Sequence, residues 1–302
     1  MAATIKTIPV VILFMLFMIT AAPLAAQTCA TVPEGAATDE QKQKLQQAYS
    51  AYRFNNDNAD NIIGYGRHLA YAGNFAQAID IFNDGVEKFP GDARMYRHRG
   101  QQFLVVRCFD KAITDLTRAA KIMRKKADVL EPAGIPGALD IVPGTIKTNI
   151  YYHLGLAYFF RKNMPAAEEA FNNALKLSKY NDMKIAAASW LNVVLQSQGK
   201  KEQADDLWNS LSKESGPVEV EDYRTLLALY HVDKPATPQE VDEYLQNLLP
   251  EKKSRLSSAT LLFGVGYYCH LNNLPEKAGE LFEKLKQDGS WGSWGFIAAE
   301  NL

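Results

Sequence analysis

The chain has 302 residues, of which 47% are hydrophobic and 22% charged, and its formal net charge is −1. That composition is ample for a packed core and typical of an ordinary soluble protein. Because acidic and basic residues nearly balance, the chain has no overall basic field, and nucleic acid is not an expected partner.

Residues 1–26 follow the order of a secretory signal peptide. Lys6 precedes the apolar run Ile8–Ile19, and small residues continue to Ala26, where we expect cleavage. The run is short for a membrane span, but an uncleaved membrane anchor remains an alternative. A lipoprotein anchored through Cys29 is a third option, although the residues before it fit a lipoprotein signal poorly. We therefore expect export to the periplasm or cell envelope, with membrane attachment only through the signal peptide or an anchor.

Residues 27–58 are predicted to form a leader followed by one capping helix. The segment Thr28–Thr38 is rich in Pro, Gly and Ala. The segment Asp39–Phe54 places apolar residues at helical spacing, and Thr38 or Asp39 could cap its start. A single helix in this position would cover the open end of a repeat array.

Residues 59–126 contain two segments that match each other at one constant offset along the chain. The landmark pairs are Gly66 and Gly100, Leu69 and Phe103, Ala78 and Ala112, Phe82 and Leu116, and Gly85 and Ala119. Small landmarks let two helices approach closely, and large landmarks fill the space between hairpins. The recurrence predicts two helical hairpins, repeats 1 and 2, which must stack because one hairpin cannot bury its own apolar face.

This pattern resembles the tetratricopeptide repeat (TPR) family in its spacing and in its small and large positions. One departure is Ile62, which stands where the family has an aromatic residue, whereas repeat 2 has Tyr96 there. The resemblance implies an all-α fold, a right-handed α-solenoid of TPR-like helical hairpins. It also implies a concave face, lined by the first helix of each hairpin, that binds peptides or protein segments.

Residues 127–147 interrupt the period with a Pro- and Gly-rich insertion between repeats. The stretch also carries several aliphatic residues, whereas a merely solvated linker would be more polar. Long loops in compact proteins are often functional. Two interpretations stay open: an insertion packed on the side of the array, or a flap that covers the groove.

The pattern resumes in residues 148–216, which we predict to hold repeats 3 and 4. Repeat 3 keeps the landmarks, whereas repeat 4 has Asn192 in place of a small residue. Residues 217–256 keep no small landmark and are predicted to form a diverged helical hairpin. Residues 257–302 return to the pattern as a C-terminal repeat with a tail. The tail carries Trp291, Trp294 and Phe296, which we expect to pack on the last hairpin, since exposed they would form a sticky patch.

The three cysteines have different predicted roles. Cys269 falls within a helix at a core position and is expected to be a buried apolar residue. Cys108 lies at the turn of the second hairpin, and the leader that carries Cys29 could fold back to it. Because export implies an oxidising compartment, a Cys29–Cys108 disulfide is a hypothesis, but spacing alone does not settle connectivity. A free or lipidated Cys29 stays open.

The sequence contains no specific enzymatic or metal-binding motif. It lacks G-x-S-x-G, H-E-x-x-H and the phosphate-binding G-x-x-x-x-G-K-[ST]. We therefore predict a protein without catalytic residues, metal or cofactor. The alternative is a helical-array enzyme or glycan-binding protein of the cell envelope, which would need two acids facing a cleft. Its candidates are Glu168-Glu169 and Glu240-Asp242-Glu243, whose spacing is typical of solvated outer faces.

The resemblance places nine side chains in a predicted peptide-binding groove. They are Arg67 and Tyr71 from repeat 1, Arg94, Arg97 and Gln101 from repeat 2, and Asn149, Tyr152, Leu156 and Phe159 from repeat 3. The arginines suit carboxylates because their planar fork offers paired donors, and the aromatic residues add an apolar platform.

The sequence therefore predicts an exported TPR scaffold that binds protein or peptide segments bearing carboxylates, within a bacterial envelope complex. Replacing Arg94 and Arg97 with Glu should then weaken partner capture with little change in stability. The opposite interpretation is that Asp60 and Asp92 neutralise the arginines and that the groove binds nothing. The sequence predicts neither the identity of the partner, the pathway nor the oligomeric state.

Overall fold

A computed structural model describes residues 29–31, 33, 37–131, 144–211, 221–249 and 255–302, without the side chains of residues 255 and 256. The predicted signal peptide, most of the leader and the centre of the predicted insertion lie outside these ranges. The described residues form helices, and their one β-type contact is an isolated bridge between Leu130 and Thr145. The predicted all-α solenoid is confirmed.

Fourteen α-helices lie within the described ranges. They are α1 (Asp39–Phe54), α2 (Ala59–Tyr71), α3 (Phe75–Lys88), α4 (Ala93–Val105), α5 (Phe109–Met123), α6 (Ile146–Phe160), α7 (Met164–Leu177), α8 (Asn181–Ser197), α9 (Lys201–Leu211), α10 (Glu221–Ala228), α11 (Pro238–Leu248), α12 (Arg255–Leu271), α13 (Pro275–Gln287) and α14 (Trp294–Glu300). A π-helical turn, Leu229–Asp233, continues α10. Each helix from α1 to α8 packs on the next one, as stacked hairpins require.

Helix α1 begins at the residue that the sequence chemistry favours. The Thr38 hydroxyl accepts a hydrogen bond from the Gln41 backbone N–H at 3.2 Å, and the Gln41 side chain accepts one from the Thr38 N–H at 2.8 Å. This reciprocal arrangement is a capping box. The helix packs on α2 and has no fully buried residue, which fits a cap at the end of the array.

One contact explains why glycine recurs at the small landmark positions. A Cβ atom added to Gly66 would lie 2.5 Å from Cζ of Phe82, and one added to Gly155 would lie 2.6 Å from Cε1 of Phe171. The same arrangement pairs Gly100 with Leu116 and Gly266 with Phe282. In these four hairpins the large residue of the second helix therefore rests directly on the backbone of the first helix.

We expect Gly155→Ala to lower the free energy of unfolding by about 1–3 kcal/mol, because the added methyl group overpacks the core against the fully buried Phe171. Gly279→Ala in α13 is the matched control. Its Cβ would meet nothing within 4 Å, so better helix propensity should raise stability by roughly 0.5–1 kcal/mol. Urea denaturation followed by circular dichroism measures both. A Gly155→Ala protein as stable as the parent would contradict this explanation of the repeat.

The C-terminal helices cover the inner side of the middle repeats. Helix α12 packs on α8 and α10, and α14 packs on α6, α12 and α13. The ring of Trp190 in α8 lies 5.3 Å from Phe159 in α6 and 5.3 Å from Phe263 in α12. The tail is therefore packed on the last hairpin, as predicted, but it also reaches the third one. Within the described ranges, no helix combines the length and apolarity that crossing a membrane requires.

Candidate functional site

On the first hairpin, the predicted groove residues are partly exposed. Arg67 and Tyr71 lie one turn apart on α2, and both are partly exposed. The Arg67 Nη2 group donates a hydrogen bond to the Tyr71 hydroxyl at 2.7 Å. This contact holds the guanidinium along the helix, where it and the phenol form one small polar and aromatic surface.

Arg94, at the start of α4, is neutralised by the two acids that the sequence suggested. Its Nη1 lies 2.5 Å from the Asp60 carboxylate, and its Nη2 lies 2.6 Å from Asp92. Burial raises the pKa of Asp92, but hydrogen bonds from Arg94 outweigh it and hold that pKa below its ordinary value. Arg94 therefore joins the first two hairpins and remains only partly exposed.

Arg97 is buried and faces a carboxylate from its own chain. Its side chain is 2% exposed, and its Nε lies 3.0 Å from Oε2 of Glu131. The Arg97 Nη1 group donates to Gln101, and the Asn149 amide donates to the same Glu131 oxygen. Glu131 is held in place by its backbone N–H, which donates to the Gly144 carbonyl at 2.9 Å. The carboxylate expected from a ligand is thus supplied by the stem of the insertion.

The aromatic part of the predicted groove lies inside the protein. Leu156 is fully buried, Phe159 contacts Trp190, and the Tyr152 hydroxyl lies 3.4 Å from that of Tyr223. Six of the nine predicted groove residues are buried in all: Arg97, Gln101, Asn149, Tyr152, Leu156 and Phe159. A ligand could contact these six only after segments of this chain had moved away.

The turn between α4 and α5 contacts both ends of the described chain. One of its residues, Arg107, has a role that the sequence did not reveal. Cys108 forms a disulfide with Cys29, with 5.0 Å between their Cα atoms, and the Ala30 N–H donates to the Val106 carbonyl at 2.8 Å. Arg107 lies 2.6 Å from the Glu300 carboxylate, and its guanidinium stacks 3.6 Å from the centre of the Trp291 ring. Arg107 therefore fixes the C-terminal tail.

Two concavities lie at opposite edges of the first hairpins. One, of about 550 Å³, lies beside the disulfide and is lined by Phe75, Phe103, Val106 and Lys111, among others. The other, of about 440 Å³, lies where the second helices end, and its walls include Phe89, Met123, Lys126, Val129 and Ile146. Mainly apolar concavities with a few polar groups are the usual shape of binding sites.

Two of the five acids considered for a glycan-processing site form ion pairs with different lysines, and a third accepts a backbone hydrogen bond. Glu168 lies 2.6 Å from the Lys200 ammonium, and Asp242 lies 2.5 Å from that of Lys277. Glu240 accepts a hydrogen bond from the Ala236 N–H near the start of α11. Each of these three acids thus has a local structural partner.

Comparison with known proteins supports the hairpin assignment. Residues 65–127 match the sequence profile of the tetratricopeptide repeat family. A tetratricopeptide repeat protein from Parabacteroides merdae is similar in structure, with a TM-score of 0.52 and 14% identity, over 86% of this chain and 92% of that one. A chain of the APC/C hetero-tetramer Cut9–Hcn1 gives a TM-score of 0.52 and 13% identity, over 82% of this chain and 46% of that one.

A third similar structure is YrrB, a TPR protein described as having an unusual peptide-binding site. It gives a TM-score of 0.44 and 14% identity, over 81% of this chain and 93% of that one. No curated protein sequence matches the chain. The family profile over residues 65–127 and the two structures with a TM-score of 0.52 support a fold of TPR-type hairpins.

Proposed function

We propose that this protein is an exported scaffold that binds a segment of a partner protein within a bacterial envelope complex. The observation that carries the proposal is the stack of TPR-type hairpins, because such a stack presents an extended surface for binding. Its first hairpin keeps Arg67 and Tyr71 partly exposed, whereas the later inner faces are covered. We place the partner segment on this first hairpin.

The chemistry of this surface indicates the kind of segment that it binds. Arginine and tyrosine are among the residue types that are enriched at the energetic hot spots of protein interfaces. The Nε and Nη2 groups of Arg67 donate to the Tyr71 hydroxyl. The positive charge of Arg67 attracts a nearby carboxylate, and the Tyr71 ring offers an apolar platform beside it. The proposed ligand is therefore a segment that combines acidic and apolar side chains, and its binding should weaken as salt screens the charges.

Export is supported by two features of the chain. Residues 1–26 have the order of a signal peptide, and Cys29, just beyond the proposed cleavage site, is paired with Cys108. Disulfides persist mainly in oxidising compartments, among them the bacterial periplasm. The proposed location is the periplasm or cell envelope.

The proposal predicts that Arg67→Glu combined with Tyr71→Ala reduces recovery of the partner from envelope extracts roughly tenfold or more, because two interface side chains are lost. Immobilised mature protein and quantitative mass spectrometry measure the recovery. Lys176→Glu, which makes a similar charge change on the exposed side of α7, is the control and should leave recovery unchanged. Equal recovery by the double variant and the parent would contradict binding at the first hairpin.

A further inference from the structure

Three connections lie together along one edge of the first hairpins, here called the link edge. They are the α1–α2 connection (55–58), the α3–α4 connection (89–92) and the segment after α5 (124–129). The Lys88 ammonium lies 2.8 Å from Asp57, and the Lys126 ammonium donates to the Gly91 carbonyl at 3.1 Å. With the Arg94–Asp60 pair, these contacts fix the three connections side by side.

Phe54 projects from this edge into solvent. It is the last residue of α1, and 92% of it is exposed. If Phe54 were buried in an interface, its large apolar area would contribute favourably to association. Its neighbours along the chain include Asp57 and Asp60, whose carboxylates remain largely exposed despite their ion pairs.

The cavity of about 440 Å³ opens on the same edge. Phe89, Met123 and Ile146 form part of its apolar wall, and Val129 and Leu130 beside it are 54% and 53% exposed. The exposed cations Arg124, Lys125 and Lys126 lie next to it in sequence. Near Phe54 the acids Asp57 and Asp60 accompany the exposed Arg53. Near the apolar cavity three exposed bases accompany the less exposed Asp92 and Asp128, so the cavity side of the link edge is the more positive one.

We propose that two copies of this protein form a symmetric dimer through their link edges, with Phe54 of each copy inserted into the cavity of the other. A two-fold axis through the link edge would place Phe54 of each copy at the cavity of the other copy. The assembly is then complete with two copies. The second copy is the favoured occupant because this edge already carries both complementary shapes and both signs of charge. The inference is independent of the partner proposed above.

Sedimentation velocity of the mature chain over a dilution series tests the dimer. The parent should sediment as twice the chain mass at high concentration and dissociate on dilution. Phe54→Ser and Val129→Glu should each raise the dimer dissociation constant roughly 30-fold or more, as loss of a dominant interface residue does. Val232→Ser, which changes another highly exposed apolar residue, is the control and should leave the dissociation constant unchanged.

Mixing the two variants separates loss of the interface from misfolding. A mixed dimer of Phe54→Ser with Val129→Glu regains one intact contact, formed by Phe54 of the second variant and the cavity of the first. At a concentration where neither variant alone forms dimer, dimer should therefore reappear on mixing. A parent that stays monomeric at every concentration, variants that dimerise like the parent, or a mixture without dimer would each overturn the proposal.

Discussion

Replacing Arg97 with Glu should lower the free energy of unfolding by about 3–5 kcal/mol, the range for breaking a buried ion pair. The substituted carboxylate would lie beside Glu131 in a site where the native arginine is 2% exposed. Two buried carboxylates repel each other and have lost the water that would otherwise solvate them. Urea denaturation monitored by circular dichroism measures the loss.

Arg94→Glu is the matched control for this prediction. It removes the same charge three residues away, but Arg94 is only partly buried, and of its two partners Asp60 is mostly exposed and Asp92 is partly exposed. We expect a loss of about 1 kcal/mol or less, as for exposed ion pairs. Combining Arg97→Met with Glu131→Gln should recover much of the stability, because no unpaired buried charge remains. Equal stability of Arg97→Glu and the parent would show that the pair does not form.

The second large effect concerns the Cys29–Cys108 disulfide. Replacing both cysteines with Ser should lower the free energy of unfolding by about 2–4 kcal/mol, because the bond closes a long loop in the unfolded chain. The two residues are 79 positions apart, so the entropy that the bond removes from the unfolded chain is large. Urea denaturation with and without a reducing agent measures the effect in the parent.

The double serine variant is its own control, since a reducing agent should leave its unfolding transition unchanged. Intact mass after alkylation gives an independent check. Before reduction only Cys269, which is buried and free, should react once the chain is unfolded, and after reduction three thiols should react. Three reactive thiols before reduction would contradict the pairing.

The hairpins could be predicted from the sequence because their defining contact is local. Gly66 and Phe82, like Gly155 and Phe171, lie close together in the sequence and meet within one hairpin. The same contact recurs at a constant offset between the first two hairpins, so it leaves a pattern that one sequence can show. The sequence predicted Thr38 or Asp39 as the cap of α1, and the structure shows Thr38, whose capping hydrogen bonds reach only to Gln41 in the first turn of the helix.

The covering of the inner face could not be predicted in the same way. Phe159 meets Phe263 and Tyr267 from α12, which lies far later in the chain, and no periodicity links them. Glu131 reaches Arg97 from an insertion that has no repeat partner. One signal was available: α6 is apolar on nearly every side, which indicates a helix that is buried all round rather than one that faces an open groove.

Because the inner face is covered, substituting the predicted groove arginines tests binding less directly than the sequence indicated. From the sequence, Glu at positions 94 and 97 was expected to weaken binding with little change in stability. The burial of Arg97 against Glu131 means that this variant should lose stability as well, so a loss of binding would not identify the site. Arg67 and Tyr71 are better probes, because both retain partial exposure on the first hairpin.

Photo-crosslinking in living cells, from a crosslinking amino acid placed at Tyr71 or at Phe159, tests most directly where this protein meets its partner. The partly exposed position 71 should capture a discrete partner chain, and the buried position 159 should capture none. Capture from position 159 but not from position 71 would show that the covered inner face opens to bind. Capture from neither position would contradict partner binding on the inner side of the array.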